Sequence, residues 1–180
     1  EANSKWQDGP GDVPGSANAI TDVPNPLRIL SSAVALEALA GDIHAALLAD
    51  PVTVRAVAGD GSIYLTAVGK FHGSLLEALK GTVSVEAGGD IDIDQLHALK
   101  VILDTEGALR LPDLQVAEEA VLRANELEAN IRQVPPGPDP LKLTLTGGKG
   151  KVGTWADVTV DAPAGLILPS LRFYESDIKT

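Results

Sequence analysis

The residues in this chain with the most evident chemical potential are three aspartates at alternate positions. Asp90, Asp92 and Asp94 are separated by Ile91 and Ile93. On a β-strand that alternation puts three carboxylates on one side, and grouped carboxylates can bind Ca²⁺ or exchange protons. Carboxylates spaced along a strand also diverge, so the simpler reading is a solvated face opposite Ile91 and Ile93. Gly88-Gly89-Asp90 matches one corner of the Ca²⁺-binding nonapeptide of β-rolls, but it occurs once, where that motif works in tandem. The three histidines, His44, His72 and His97, show no metal-ligand spacing, and His44 and His97 are expected to face solvent. Gly147-Gly148-Lys149-Gly150-Lys151 has the composition of a phosphate cradle. It lacks the Gly-Lys-Ser/Thr ending and a following helix, and reads as a turn. Cysteine is absent, which removes disulfides, thiolate ligands and a thiol nucleophile. No catalytic, cofactor-binding or metal-binding residue is therefore assigned. The chain is expected not to be an enzyme and to carry no cofactor.

Composition points the same way. The chain has 180 residues, 44% apolar, with only two Phe, two Trp and two Tyr. A core of this size must be built from Val, Ile, Leu and Ala. The net charge of −11 lacks the cationic stripe that phosphate binding needs, so no nucleic-acid partner is expected. No apolar run approaches the roughly 18–20 residues that span a bilayer, so no membrane insertion is expected. The start, Glu1-Ala2-Asn3-Ser4-Lys5-Trp6, has neither an initiator Met nor an apolar leader, and suggests a mature product or a piece of a longer chain.

Organisation follows from punctuation and repetition. Residues 1–26 carry Pro10, Pro14, Pro24 and Pro26 with Gly9, Gly11 and Gly15, and read as a linker or irregular leading segment. Residues 27–180 are patterned, with a Pro-rich loop at 133–140. Within them, Val34-Ala-Leu36-Glu-Ala38-Leu-Ala40-Gly41-Asp42 matches Val52-Thr-Val54-Arg-Ala56-Val-Ala58-Gly59-Asp60. Related segments begin at Val83, Val101, Ala120, Leu141 and Val158, giving steps of 18, 31, 18, 19, 21 and 17. A second half-unit begins at Ile43, Ile63, Ile91, Leu109 and Leu166, with apolar residues at its first, third and sixth places.

The pattern predicts strand, Gly-containing turn, strand and apolar corner, repeated about seven times. The fourth place of the first strand is polar throughout (Glu37, Arg55, Glu86, Asp104, Arg123, Thr144, Asp161) and should form one solvent-facing column. No unit can bury its own apolar face, so stacking must close the core. Steps of this length suit one coil of a parallel β-helix with three short strands, and seven coils would make a column roughly 34 Å long at ~4.8 Å each. Two stretches fit less simply. Residues 116–133 space Val116, Ala120, Ala124, Leu127 and Ile131 almost as an amphipathic helix; strand is favoured because Ala120–Ala124 keeps the repeat. Residues 67–80, the extra length in the long step, read as an excursion or as an additional degenerate coil.

The units 39–43, Leu-Ala-Gly-Asp-Ile, 54–67, Val-Arg-Ala-Val-Ala-Gly-Asp-Gly-Ser-Ile-Tyr-Leu-Thr-Ala, and 85–93, Val-Glu-Ala-Gly-Gly-Asp-Ile-Asp-Ile, resemble repeats of filamentous-haemagglutinin-type bacterial exoproteins. The resemblance covers roughly residues 27–180, in pattern and not in strict motif. It implies a right-handed parallel β-helix, an extracellular or cell-surface setting, and a structural or adhesive shaft that meets an unidentified protein or glycan surface. The family's secretion domain is not matched, and it supplies no site residues to carry over. Two other functions fit a β-helix. One is a self-assembling, bactofilin-like filament subunit, stacking end to end through open coils. The other is a polysaccharide-degrading enzyme, for which the Asp90–Asp94 row is the only qualifying feature.

Overall fold

The computed structural model describes residues 26–134, 139–147, 154–173 and 175–180. Residues 1–25, the tip of the Pro-rich loop at 135–138, and most of the Gly147–Lys151 turn lie outside the described residues. The described chain is all-β: β1 (Leu27–Ile29), β2 (Ala33–Ala38), β3 (Ile43–Leu47), β4 (Val52–Ala58), β5 (Ile63–Ala67), β6 (Phe71–Ala87), β7 (Ile91–Ile93), β8 (Leu96–Thr105), β9 (Ala108–Ala124), β10 (Glu126–Gln133), β11 (Leu141–Gly147), β12 (Trp155–Asp161), β13 (Leu166–Arg172) and β14 (Glu175–Lys179). The pairings among these strands are parallel and join each segment to one about a turn away, forming a β-solenoid of about seven turns. The helix-like spacing at 116–133 folds as strand, in β9 and β10.

Two rows of strands alternate along the chain. The first runs β1, β3, β5, then the later halves of β6, β8 and β9, then β11 and β13. The second runs β2, β4, the early half of β6, β7 with the start of β8, the early half of β9, β10, β12 and β14. The second row is bent midway. Register shifts fall between Val54 and Arg55 and between Ala129 and Ile131, and a break at Asp94–Gln95 separates β7 from β8. The turn from Ile91 to Thr105 comprises two strands, β7 and β8, and not three: β8 passes from the second row to the first without a gap, with a register shift between Ala98 and Lys100, and β4 and β10 likewise run through the bend unbroken.

The inward alternation holds in both rows. In the first, Leu65, Val85, Leu103, Leu122 and Leu145 stack rung on rung and are buried. In the second, Val52, Phe71, Ile91, Leu109 and Leu127 do the same. Each rung covers apolar surface that its neighbour would leave in water, which is why no turn is self-sufficient. The bend accounts for the first-third-sixth pattern. Ile91, Ile93 and Leu96 all point inward because the extra residue at the bend restores the phase, and Leu109, Leu111 and Leu114 repeat this. The pattern does not hold on the first row: after Ile43 and Ile63 the fifth residues, Leu47 and Ala67, are the buried ones, with Val68 59% exposed at a corner, and after Leu166 both Leu168 and Leu171 are exposed.

Three sequence expectations are corrected. Stretch 67–80 is not an excursion but the other alternative, an additional coil: Phe71 pairs with Val52 on one side and Ile91 on the other, and residues 71–78 continue the second row. The polar fourth places do avoid the core, but they do not form one column. Glu37, Arg55 and Asp161 lie on the second row, and Glu86, Asp104, Arg123 and Thr144 on the first. Finally, Val34 sits beside Val54, not Val52, and Ala120 beside Leu143, not Leu141. Both slips are by two residues, which keeps every side chain on its face.

Corners are closed by side chains reaching across one turn. The Ser62 N–H donates to Asp42 Oδ1 at 2.7 Å, Thr82 N–H to Ser62 Oγ at 3.0 Å, and Lys70 N–H to Asp50 Oδ1 at 2.9 Å. Backbone groups that leave the ladder at a corner are thereby satisfied. Glycines stack at the same places. A Cβ on Gly61 would overlap the Gly41 carbonyl, and one on Gly81 the Gly61 carbonyl.

Candidate functional site

The aspartate row does not stay together. Asp90 belongs to a corner: it accepts the Ala108 N–H at 3.0 Å and pairs with Lys70 Nζ at 3.1 Å. The Ala108 hydrogen bond, and after it Lys70, hold the Asp90 carboxyl below its usual value near 3.8, against the desolvation that would raise it. Asp90 is therefore a structural capping residue. Asp92 faces outward from β7, and Asp94 stands at the bend that follows.

Register brings new neighbours to Asp92. His72 on β6 is its partner on the preceding turn, and Arg110 on β9 its partner on the next. His72 Nε2 lies 3.5 Å from Asp94 Oδ2. One donor atom each from His72, Asp92 and Asp94 fall within 4.8 Å of one another. Beyond Arg110 the ladder continues through Glu128 on β10 and Asp157 on β12. This file lines a shallow groove of about 330 Å³, with Asn130 and Thr159 beside it. Sequence reasoning missed His72 and Arg110 as partners because they lie a full turn from Asp92, and only the register between turns could have indicated them.

The other histidines are half-buried, not solvent-facing in full. His44 stacks on Tyr64 with ring centroids 4.7 Å apart. His97 lies between two carboxylates, with Nδ1 3.6 Å from Glu77 Oε2 and Nε2 3.7 Å from Asp113 Oδ2. On the first row, Arg123 donates to Asp104 Oδ2 at 2.7 Å. On the second, Lys179 bridges Asp157 at 3.3 Å and Asp177 at 3.2 Å. Pairs as exposed as these fix side-chain direction and add little to stability.

Chemically, this outer face is a set of charged rungs on a rigid parallel sheet. It can hold a cation or hydrogen-bond a polar ligand. Compared with protein families, curated proteins and solved structures, the chain matches none. The class defined by the fold is a parallel β-solenoid repeat protein. No helix among the described residues is long and apolar enough to cross a membrane.

The role of Asp90 has a pH signature. A depressed folded pKa contributes stability that is present above the unfolded value and is lost as pH falls through the folded one. Asp90→Asn keeps an acceptor for the Ala108 N–H and removes the charge. The urea midpoint of the wild type should exceed that of Asp90→Asn at neutral pH. The gap should narrow once pH drops below about 4 and close further down. A gap that is unchanged at pH 2 would contradict the assignment.

Proposed function

We propose that this chain is a structural and adhesive segment of a large secreted or cell-surface bacterial exoprotein, supplying a stiff β-helical shaft and a display surface. The observation that carries the reading is the combination of a continuous apolar core with charged and polar outward rungs on both rows. Such a column resists bending because every turn is hydrogen-bonded and packed to the next. Its outward positions are free to vary without disturbing the core. The likeness of segments 39–43, 54–67 and 85–93 to filamentous-haemagglutinin-type repeats supports the setting. Antibodies raised against the recombinant chain are expected to label intact cells of the source organism. Labelling that requires permeabilised cells would overturn the proposal.

A second reading, a self-assembling filament subunit, draws support from apolar side chains on the first and last described turns. Leu27, Leu30 and Leu39 are exposed in the first, and Ile167, Leu168 and Leu171 in the last. Head-to-tail contact of such surfaces does not close and grows fibres. Light scattering that rises with concentration in the micromolar range supports this reading, and a concentration-independent monomer opposes it.

A further inference from the structure

We propose that His72, Asp92 and Asp94 form a binding site for a borderline divalent cation, represented by Zn²⁺. The proposal stands independently of the shaft reading. It rests on the juxtaposition of one imidazole and two carboxylates whose donor atoms lie within 4.8 Å of one another, the His72–Asp94 pair at 3.5 Å. Ligands about 2.0–2.2 Å from a tetrahedral zinc stand roughly 3.3–3.6 Å apart. The His72–Asp94 pair already has that spacing, and Asp92, whose donor lies within 4.8 Å of the other two, has to close by no more than about 1.3 Å, which side-chain rotation supplies. The frame beneath is fixed. The Phe71 N–H donates to the Asp90 carbonyl at 2.9 Å and the Asp94 N–H to the Gly73 carbonyl at 2.8 Å, so the backbone is clamped on both sides of His72.

The donor set selects the metal. Ca²⁺ takes six to eight oxygens and Mg²⁺ keeps most of its water, whereas one nitrogen and two carboxylate oxygens suit zinc, with water completing the shell. Asp90 is not part of the set, because its oxygens are engaged by Ala108 and Lys70. Arg110, the register partner of Asp92, opposes a cation there, so removing its charge should tighten binding.

The test is isothermal titration of Zn²⁺ into the whole chain without a polyhistidine tag. Wild type should bind one equivalent. His72→Gln and Asp94→Asn should each weaken binding about tenfold or more, while Arg110→Gln strengthens it. Asp90→Asn and His97→Gln should leave the affinity unchanged within about twofold, which separates this triad from a general acidic surface. His72 and Asp94 side chains are 38% and 56% exposed, so the variants should keep the wild-type far-UV spectrum. Absence of zinc binding by the wild type, wild-type affinity in His72→Gln, or loss of affinity in Asp90→Asn would each overturn the proposal.

Discussion

Leu103→Ala should destabilise the protein by about 3 kcal/mol, while the adjacent Ile102→Ala should change stability by no more than about 0.5 kcal/mol. Leu103 is fully buried, stacked between Val85 and Leu122 on the neighbouring rungs. Truncating it removes apolar contacts and opens a cavity that flanking turns cannot fill, since their spacing is set by backbone hydrogen bonds. Ile102 is 44% exposed on the other face of the same strand. Loss of its side chain returns little surface to water. Urea unfolding of both variants against wild type measures the contrast. Equal losses, or the reverse order, would mean that β8 presents its other face to the core.

The second large effect is at a corner. Gly61→Ala should cost about 3 kcal/mol, because its Cβ would overlap the Gly41 carbonyl and the overlap is with backbone, not with a side chain that can swing away. The stacked corners would have to separate, and the ladder bonds on both sides would lengthen with them. Gly41 offers the contrast. It has φ of +84° and nothing within 4 Å of an added Cβ. Gly41→Ala therefore pays only for the left-handed backbone, about 1–2 kcal/mol. Chemical denaturation of the two variants distinguishes crowding from backbone strain. A smaller loss for Gly61→Ala than for Gly41→Ala would contradict the stacked-corner geometry.

Much of the fold is legible in the residues. Alternation in Val83–Ala87, Val101–Thr105 and Ala120–Ala124 sets the face, and the nearly equal steps of 18 and 19 residues between them match the register, so that Val83, Val101 and Ala120 are true neighbours. What alternation does not encode is the row. Both rows use the same pattern of Val or Leu at every second place, so Val52 and Val83 look equivalent although they lie on different rows. The 31-residue step between them is one full turn, Val52 to Phe71, followed by passage around the corner to the other row. Row membership depends on counting residues to each corner, and corner lengths vary. The slips of two at Val34 and Leu141 have the same origin: a shift of two preserves every inward residue, so hydropathy cannot detect it.

The candidate site was less legible for the same reason. Asp92 and Asp94 stand out as neighbours in sequence, but His72 reaches them only through the register of β6 with β7. Asp90 looked equivalent to them until its carboxylate was engaged by the Ala108 N–H, a partner one turn away.

The parallel column itself is tested most directly by one distance. Thr66, Glu86, Asp104, Arg123 and Thr146 are successive outward partners on the first row. Four rungs at ~4.8 Å place the Thr66 and Thr146 backbones about 19 Å apart despite their separation in sequence. The chain has no cysteine, so Thr66→Cys/Thr146→Cys can be spin-labelled at those two positions alone. Electron–electron resonance should give a narrow distribution centred at about 20–25 Å, allowing for the label arms. A broad distribution, or one centred beyond about 35 Å, would contradict the stacked parallel turns on which the account depends.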